Sequence, residues 1–138
     1  MKKHAITLLI LALVALPGLV NAQSRRTIKA DVPFDFVANG KTMPAGECTI
    51  VVRGDSQKIL WISAGDQHLF AMPHSTESLN PSDETKLVFN VYGDRYFLSE
   101  ISTEGESRGY ELPVGKLEKE LRAQNVTKSE VTLVASAK

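Results

Sequence analysis

Along most of this chain apolar side chains recur at every second position, in short bursts that each end at glycine, proline or asparagine. That spacing belongs to the pleated strand, whose side chains alternate between two faces. Ile28, Ala30 and Val32 share one face, and Phe34 and Phe36 keep the parity beyond Pro33. Proline has no amide hydrogen to give a ladder, so this stretch is expected to be an edge strand or two strands meeting at a bend. Asn39-Gly40 follows, a pair that tolerates positive φ at both centres of a tight hairpin. Past the turn Met43-Pro44-Ala45-Gly46, Cys48, Ile50 and Val52 alternate with Thr49 and Val51 until Gly54-Asp55. In residues 58–63 the succession Ile59, Leu60, Trp61, Ile62 reads as a strand buried on both faces. Gly65-Asp66 turns the chain into a strand over residues 68–72, which Pro73 stops, and the polar stretch 75–85 with its Asn80-Pro81 reads as a long exposed loop.

Residues 86–102 give the sharpest local expectation. A two-residue turn at Gly93-Asp94 sets Tyr92 against Arg95, Val91 against Tyr96, Phe89 against Leu98 and Leu87 against Glu100. Leu87, Phe89, Val91, Tyr96 and Leu98 then form a core face, with Glu100 at its rim, while Ile101 falls on the opposite face. After Pro113 the period changes: Leu117 and Leu121 stand four apart, as do Glu118 and Arg122, which predicts a short amphipathic helix over residues 116–124. Asn125 suits a left-handed stop, and Val131, Leu133 and Ala135 resume the strand period. The expected class is all-β: a small β-sandwich or barrel of seven or eight short strands with one short helix near the C-terminus. An open α+β sheet is the second choice.

Ahead of this pattern, residues 1–22 carry Lys2 and Lys3, an apolar run, Pro17-Gly18 and the small residues Val20 and Ala22. This is the layout of a cleaved secretory signal peptide, and its apolar run is shorter than the roughly 20 residues a membrane span needs. No cysteine follows the cleavage site, so lipid attachment there is not expected. The single β-rich domain is then residues 23–138, soluble and periplasmic or secreted, with no membrane span after cleavage. Removing the segment takes two lysines from a chain with 16 basic and 16 acidic residues, which leaves a slightly acidic product. That balance lacks the basic footprint of a nucleic-acid binder. With 43% hydrophobic residues the chain has the means to build a core, and with one cysteine it must do so without an internal disulfide.

A resemblance is carried by Val32-Pro33-Phe34-Asp35-Phe36, Met43-Pro44-Ala45-Gly46-Glu47, Lys86-Leu87-Val88-Phe89 and the run Tyr92-Gly93-Asp94-Arg95-Tyr96-Phe97-Leu98-Ser99-Glu100-Ile101. Over about residues 27–135 the chain resembles a family of small exported proteins of acidobacterial type and unknown function. The resemblance implies export and assigns no activity, cofactor or catalytic residue. The turn Pro44-Ala45-Gly46-Glu47 is also similar to strand starts in transthyretin-like sandwich modules, although Cys48 stands where those often place an aromatic residue.

Each chemically capable residue has a plainer reading beside it. Cys48 shares parity with Ile50 and Val52, which makes it a buried apolar residue and not a nucleophile. His68 and His74, six residues apart on extended chain, lie too far apart to share a metal unless Pro73 folds the strand back. Asp35 projects opposite Phe34 and Phe36, whereas Glu100, on the core-side parity, is the carboxylate able to meet a ligand if enclosed. Trp61, Tyr92, Tyr96 and Tyr110 make a sugar or peptide platform only if they share an exposed face, and the pattern assigns Trp61 and Tyr96 to packing instead. Glu100, Trp61 and Tyr92 are thus the candidate ligand-binding residues. No nucleophile elbow, phosphate loop or zinc-protease run occurs, so no catalytic residue, metal or cofactor is assigned. The functional expectation is an exported, non-enzymatic domain binding an envelope protein or peptide through a sheet edge formed by residues 28–32. A small-ligand binder with an apolar cavity is the alternative, and a hydrolase using His68 or His74 with Asp66 or Glu77 is the weakest. Export of the full chain should give a product that begins at Gln23, checked by its intact mass.

Overall fold

The computed structural model describes residues 25–138. The expected signal peptide, residues 1–22, lies outside the described residues. From Arg25 onward the alternation in the sequence becomes strands β1 (Arg26–Val32), β2 (Phe36–Ala38), β3 (Lys41–Met43), β4 (Gly46–Arg53), β5 (Ile59–Ala64) and β6 (Gln67–Ala71). They are followed by β7 (His74–Glu77), β8 (Lys86–Tyr92), β9 (Arg95–Ser102) and β10 (Arg108–Glu111). The helix α1 (Lys116–Ala123), β11 (Lys128–Val134) and β12 (Ser136–Ala137) complete the order. The architecture is the expected all-β one, divided more finely because five of the strands have only two to four residues.

One sheet runs β12-β1-β4-β5-β6; the other runs β11-β8-β9-β10-β7, with β2 lying parallel against β9 at Val37–Phe97 and carrying β3. Their inner faces meet in a common core: Ile28, Ile50, Leu60 and Ile62 from the first sheet and Leu87, Phe89 and Ile101 from the second are all 0% exposed. Phe34 and Phe36 turn their rings edge-on to Phe89, and Phe34 also stacks on Tyr96 at 3.8 Å. Pro33 marks the point at which the chain leaves the first sheet for the second, and Asp35 Oδ1 holds that bend by accepting from the Ala45 amide at 2.8 Å. The hairpin at Asn39-Gly40 forms as expected, with φ of 46° and 79°. Asn125, at φ 55°, stops α1.

Several expectations are corrected. β1 is an inner strand: it pairs along its whole length with β4, and β12 crosses from the second sheet to take its other side at Ile28 and Lys29. The Thr27 amide donates to the Lys138 carbonyl at 3.1 Å, and the return bond is 2.9 Å. At Ile28 and Lys29 the segment 28–32 is therefore not a sheet edge. Nor is β5 buried on both faces, since Ile59 is exposed and Trp61 half-buried while Leu60 and Ile62 point inward. Four residues assigned to the long loop or its border, His74–Glu77, instead form β7 against β10. In the hairpin the pairings of Tyr92, Val91 and Phe89 stand, but a bulge near Val88 and Phe89 leaves Ser99 without a partner and sets Leu87 against Ile101. One extra residue reverses the parity of everything beyond it, so Ile101 enters the core and Glu100 moves to the outer face.

Cys48 is 1% exposed, and burial pushes its thiol up to about 12. An unfolded thiol ionises lower, so Cys48 supports the fold fully below that range and loses its effect as pH rises toward the folded value. The unfolding midpoint should fall more steeply with pH in the parent than in Cys48→Ala between 9.0 and about 12. Alkylation of Cys48 should require unfolding. Leu60→Ala, at a position 0% exposed, is expected to cost about 3 kcal/mol in urea denaturation.

Candidate functional site

A two-sheet core uses only the inner faces, and the outer face of the first sheet carries side chains that strand register brings into rows. Val51, Trp61 and Phe70 stand in one cross-strand row, and Thr49, Ser63 and His68 in the next. The Trp61 ring meets Phe70 edge-on at 4.4 Å and lies parallel to His68 at 5.5 Å. Phe70 is 57% exposed, Met72 60% and Ile59 37%. The result is an aromatic and aliphatic patch at the β6 end of the sheet, with no element of the described chain laid over its centre.

The backbone beside this patch is occupied. Asn39 Nδ2 donates to the Phe70 carbonyl at 3.1 Å, and Lys41 Nζ donates to the His68 carbonyl at 3.0 Å. Two outward carbonyls of the edge strand β6 are thus spent on side chains of the β2–β3 hairpin, a device that discourages strand addition. What this corner offers a partner is side chains.

The outer face of the second sheet is treated differently. Near the β8–β9 turn it is covered by α1, whose inward residue is Glu118, 5% exposed. Glu118 Oε1 accepts from Asn90 Nδ2 at 2.9 Å, from the Tyr92 hydroxyl at 3.1 Å and from the Arg122 guanidinium at 3.2 Å. Arg122 Nε also donates to the Tyr92 hydroxyl at 2.7 Å, and this bond with the nearby Glu118 carboxylate holds the guanidinium above its ordinary pKa. The helix is therefore rotated from the expected orientation: Leu117 is 37% exposed, and the supposed surface pair Glu118–Arg122 anchors the helix to the sheet. A buried carboxylate outcompetes a leucine for that side because two donors, Asn90 and Tyr92, already wait there on the sheet and Arg122 of the same helix supplies a third.

Farther along the same face Glu100 sits in a groove of about 530 Å³ edged by the loops on either side of Ser82 and Ser107. Its Oε1 accepts from Ser102 Oγ at 3.3 Å. Gly109 passes close beneath, and a Cβ there would come within 2.8 Å of Thr76 Oγ1 and 3.3 Å of Glu100 Oε1.

Glu100, Trp61 and Tyr92 consequently do not share a site. Trp61 is on the outer face of the first sheet, Tyr92 is enclosed under α1, and Glu100 lies four residues of extended strand from Tyr92's level, roughly 13 Å at about 3.3 Å per residue. His68 packs on Trp61, whereas His74 stands opposite Glu111 on β7; Glu77 pairs with Arg108 at 3.0 Å, and Asp66 is exposed in a turn. Among the described residues no three His, Cys, Asp or Glu side chains gather as a metal site. No family model, curated protein or solved structure matches the chain.

Sequence reasoning missed Phe70 as the partner of Trp61, and it missed the burial of Glu118. Strict alternation through Leu60 and Ile62 would have turned Trp61 outward; nothing in the sequence flags that Glu118 points inward, because the two sheet donors it meets lie 26 and 28 residues away. Replacing Glu118 by Ala leaves three donors short of an acceptor, an expected loss of about 3 kcal/mol in urea unfolding. Glu118→Gln, which keeps an oxygen acceptor, should lose less.

Proposed function

We propose that this chain is an exported, non-enzymatic domain that docks an envelope protein through the aromatic outer face of its first sheet. Export rests on the layout of residues 1–22, and it assigns the domain to the periplasm or the exterior. The observation that carries docking is the exposed set Phe70, Ile59 and Met72 beside the half-buried Trp61 at one corner of the sheet. Soluble domains keep contiguous apolar surface small, and a patch with an aromatic centre and a polar border is the usual anchor of an interface. Arg53, paired with Ile59, and His68 supply part of that border. The partner's matching chemistry is a cluster of aliphatic or aromatic side chains able to cover Trp61.

The occupied carbonyls of β6 favour face docking over the addition of a partner strand at this edge. The alternative of a ligand cavity between the sheets has less support, because the inward side chains of both sheets are fully covered by one another. No cofactor or metal is needed for this reading.

A photo-crosslinking residue at position 70 should give one discrete adduct in the envelope, absent when the probe is moved to position 94. Phe70→Ala, at a side chain 57% exposed, should weaken binding to the captured protein by about 2 kcal/mol while lowering the unfolding midpoint far less than a core truncation does. Equal labelling from both positions, or none from position 70, would refute the proposal.

A further inference from the structure

Away from the aromatic face, residues from both sheets line an open cleft of about 910 Å³ at one end of the sandwich. Arg25, Arg26, Lys58 and Arg108 surround it against two carboxylates, Glu77 and Glu106, and Lys138 stands at its rim. Those four cations against two carboxylates concentrate a surplus of two positive charges in a chain whose basic and acidic residues are equal in number. Such a surplus in a concave site raises the local concentration of anions.

The cations are held in place. Arg26 is paired with Glu106 and Arg108 with Glu77, each through one guanidinium nitrogen, so most of their donors remain available. The shared bond with Arg26 keeps the Glu106 carboxyl below its ordinary range, and the pair stays charged at neutral pH. Lys58 Nζ donates to the Gly54 carbonyl, and Arg25 has no carboxylate partner among the described residues. The loop bearing Glu106 is fixed by backbone bonds from Ser82 to the Glu106 carbonyl at 2.9 Å and from Ser78 to the Ser107 carbonyl at 2.8 Å.

The second observation is Tyr110. Its ring is packed into the sandwich end while its hydroxyl reaches the solvent of the cleft, with no protein hydrogen-bond partner among the described residues. Burial raises its pKa, with Glu106 adding to the effect, so the hydroxyl stays protonated as a donor. The hydroxyl opens onto the cleft beneath a ring of cations, where an incoming acceptor can replace water on it.

We infer that this cleft binds a phosphate group of a small molecule or lipid headgroup, with Arg25, Arg26, Lys58 and Arg108 meeting its charge and the Tyr110 hydroxyl donating to one of its oxygens. A phosphate monoester brings close to two negative charges and several acceptors, which matches the surplus better than a single carboxylate does.

The test uses residues 23–138 titrated by calorimetry with inorganic pyrophosphate, and sedimented with phosphatidylcholine vesicles with or without phosphatidic acid. Saturable pyrophosphate binding that weakens about tenfold in Arg25→Gln/Lys58→Gln, and measurably in Tyr110→Phe, supports the inference. Those exchanges avoid both Arg–Glu pairs, and unchanged thermal unfolding of the variants confirms that the fold persists. Vesicle binding that requires phosphatidic acid and is lost in the same variants assigns the phosphate to a lipid; pyrophosphate binding alone assigns it to a soluble molecule. No binding of either probe up to about 10 mM, equal binding by parent and variants, or equally tight binding of citrate overturns the inference.

Discussion

Everything in this fold follows from the fact that a pleated sheet has two faces and only one of them can be spent on the other sheet. Ile28, Ile50, Leu60 and Ile62 meet Leu87, Phe89 and Ile101 across the interior, and their complete burial supplies the apolar contact that holds the layers together. The crossing from β11 to β12 ties the same layers along one side, with the Ala135 amide donating to the Thr85 carbonyl just before the chain joins β1. Each outer face then has to be resolved separately.

The two faces are resolved by opposite means. On the second sheet, α1 covers Asn90, Tyr92 and Phe97 and makes good the polar cost with the Glu118 network, although Asn90 Oδ1 is enclosed without a partner among the described residues. On the first sheet no helix is laid down, and Trp61 and Phe70 shield each other only in part. The hairpin side chains of Asn39 and Lys41 close backbone acceptors at the adjoining edge while leaving the rings open. An interface built on this corner reads shape and apolar surface. The basic cleft at the sandwich end reads charge, and it draws on neither of those residues.

The fold was legible in the sequence wherever local chemistry decides the outcome. Asn39-Gly40 and Gly93-Asp94 set their own turns, Asn125 stopped the helix, and the parity of Cys48, Ile50 and Val52 put them inside. The site was less legible. Glu100 was misplaced by a bulge that inserts a single residue, because parity cannot register an extra residue until the partner strand is known. Trp61 was hidden by its neighbours: an uninterrupted apolar run looks the same whether its odd members pack inward or stand exposed.

Residue order by itself determined the strands, most of their turns, the all-β class and the apolar set that fills the core, since these depend on φ preferences and on a period of two. Tertiary structure alone decided that β1 lies inside its sheet, that Glu118 faces inward, and that Arg25, Lys58 and Arg108 converge around Tyr110. Those outcomes require pairing between segments far apart in the chain, where the identity of the neighbour, and not the residue's own preference, sets the energy.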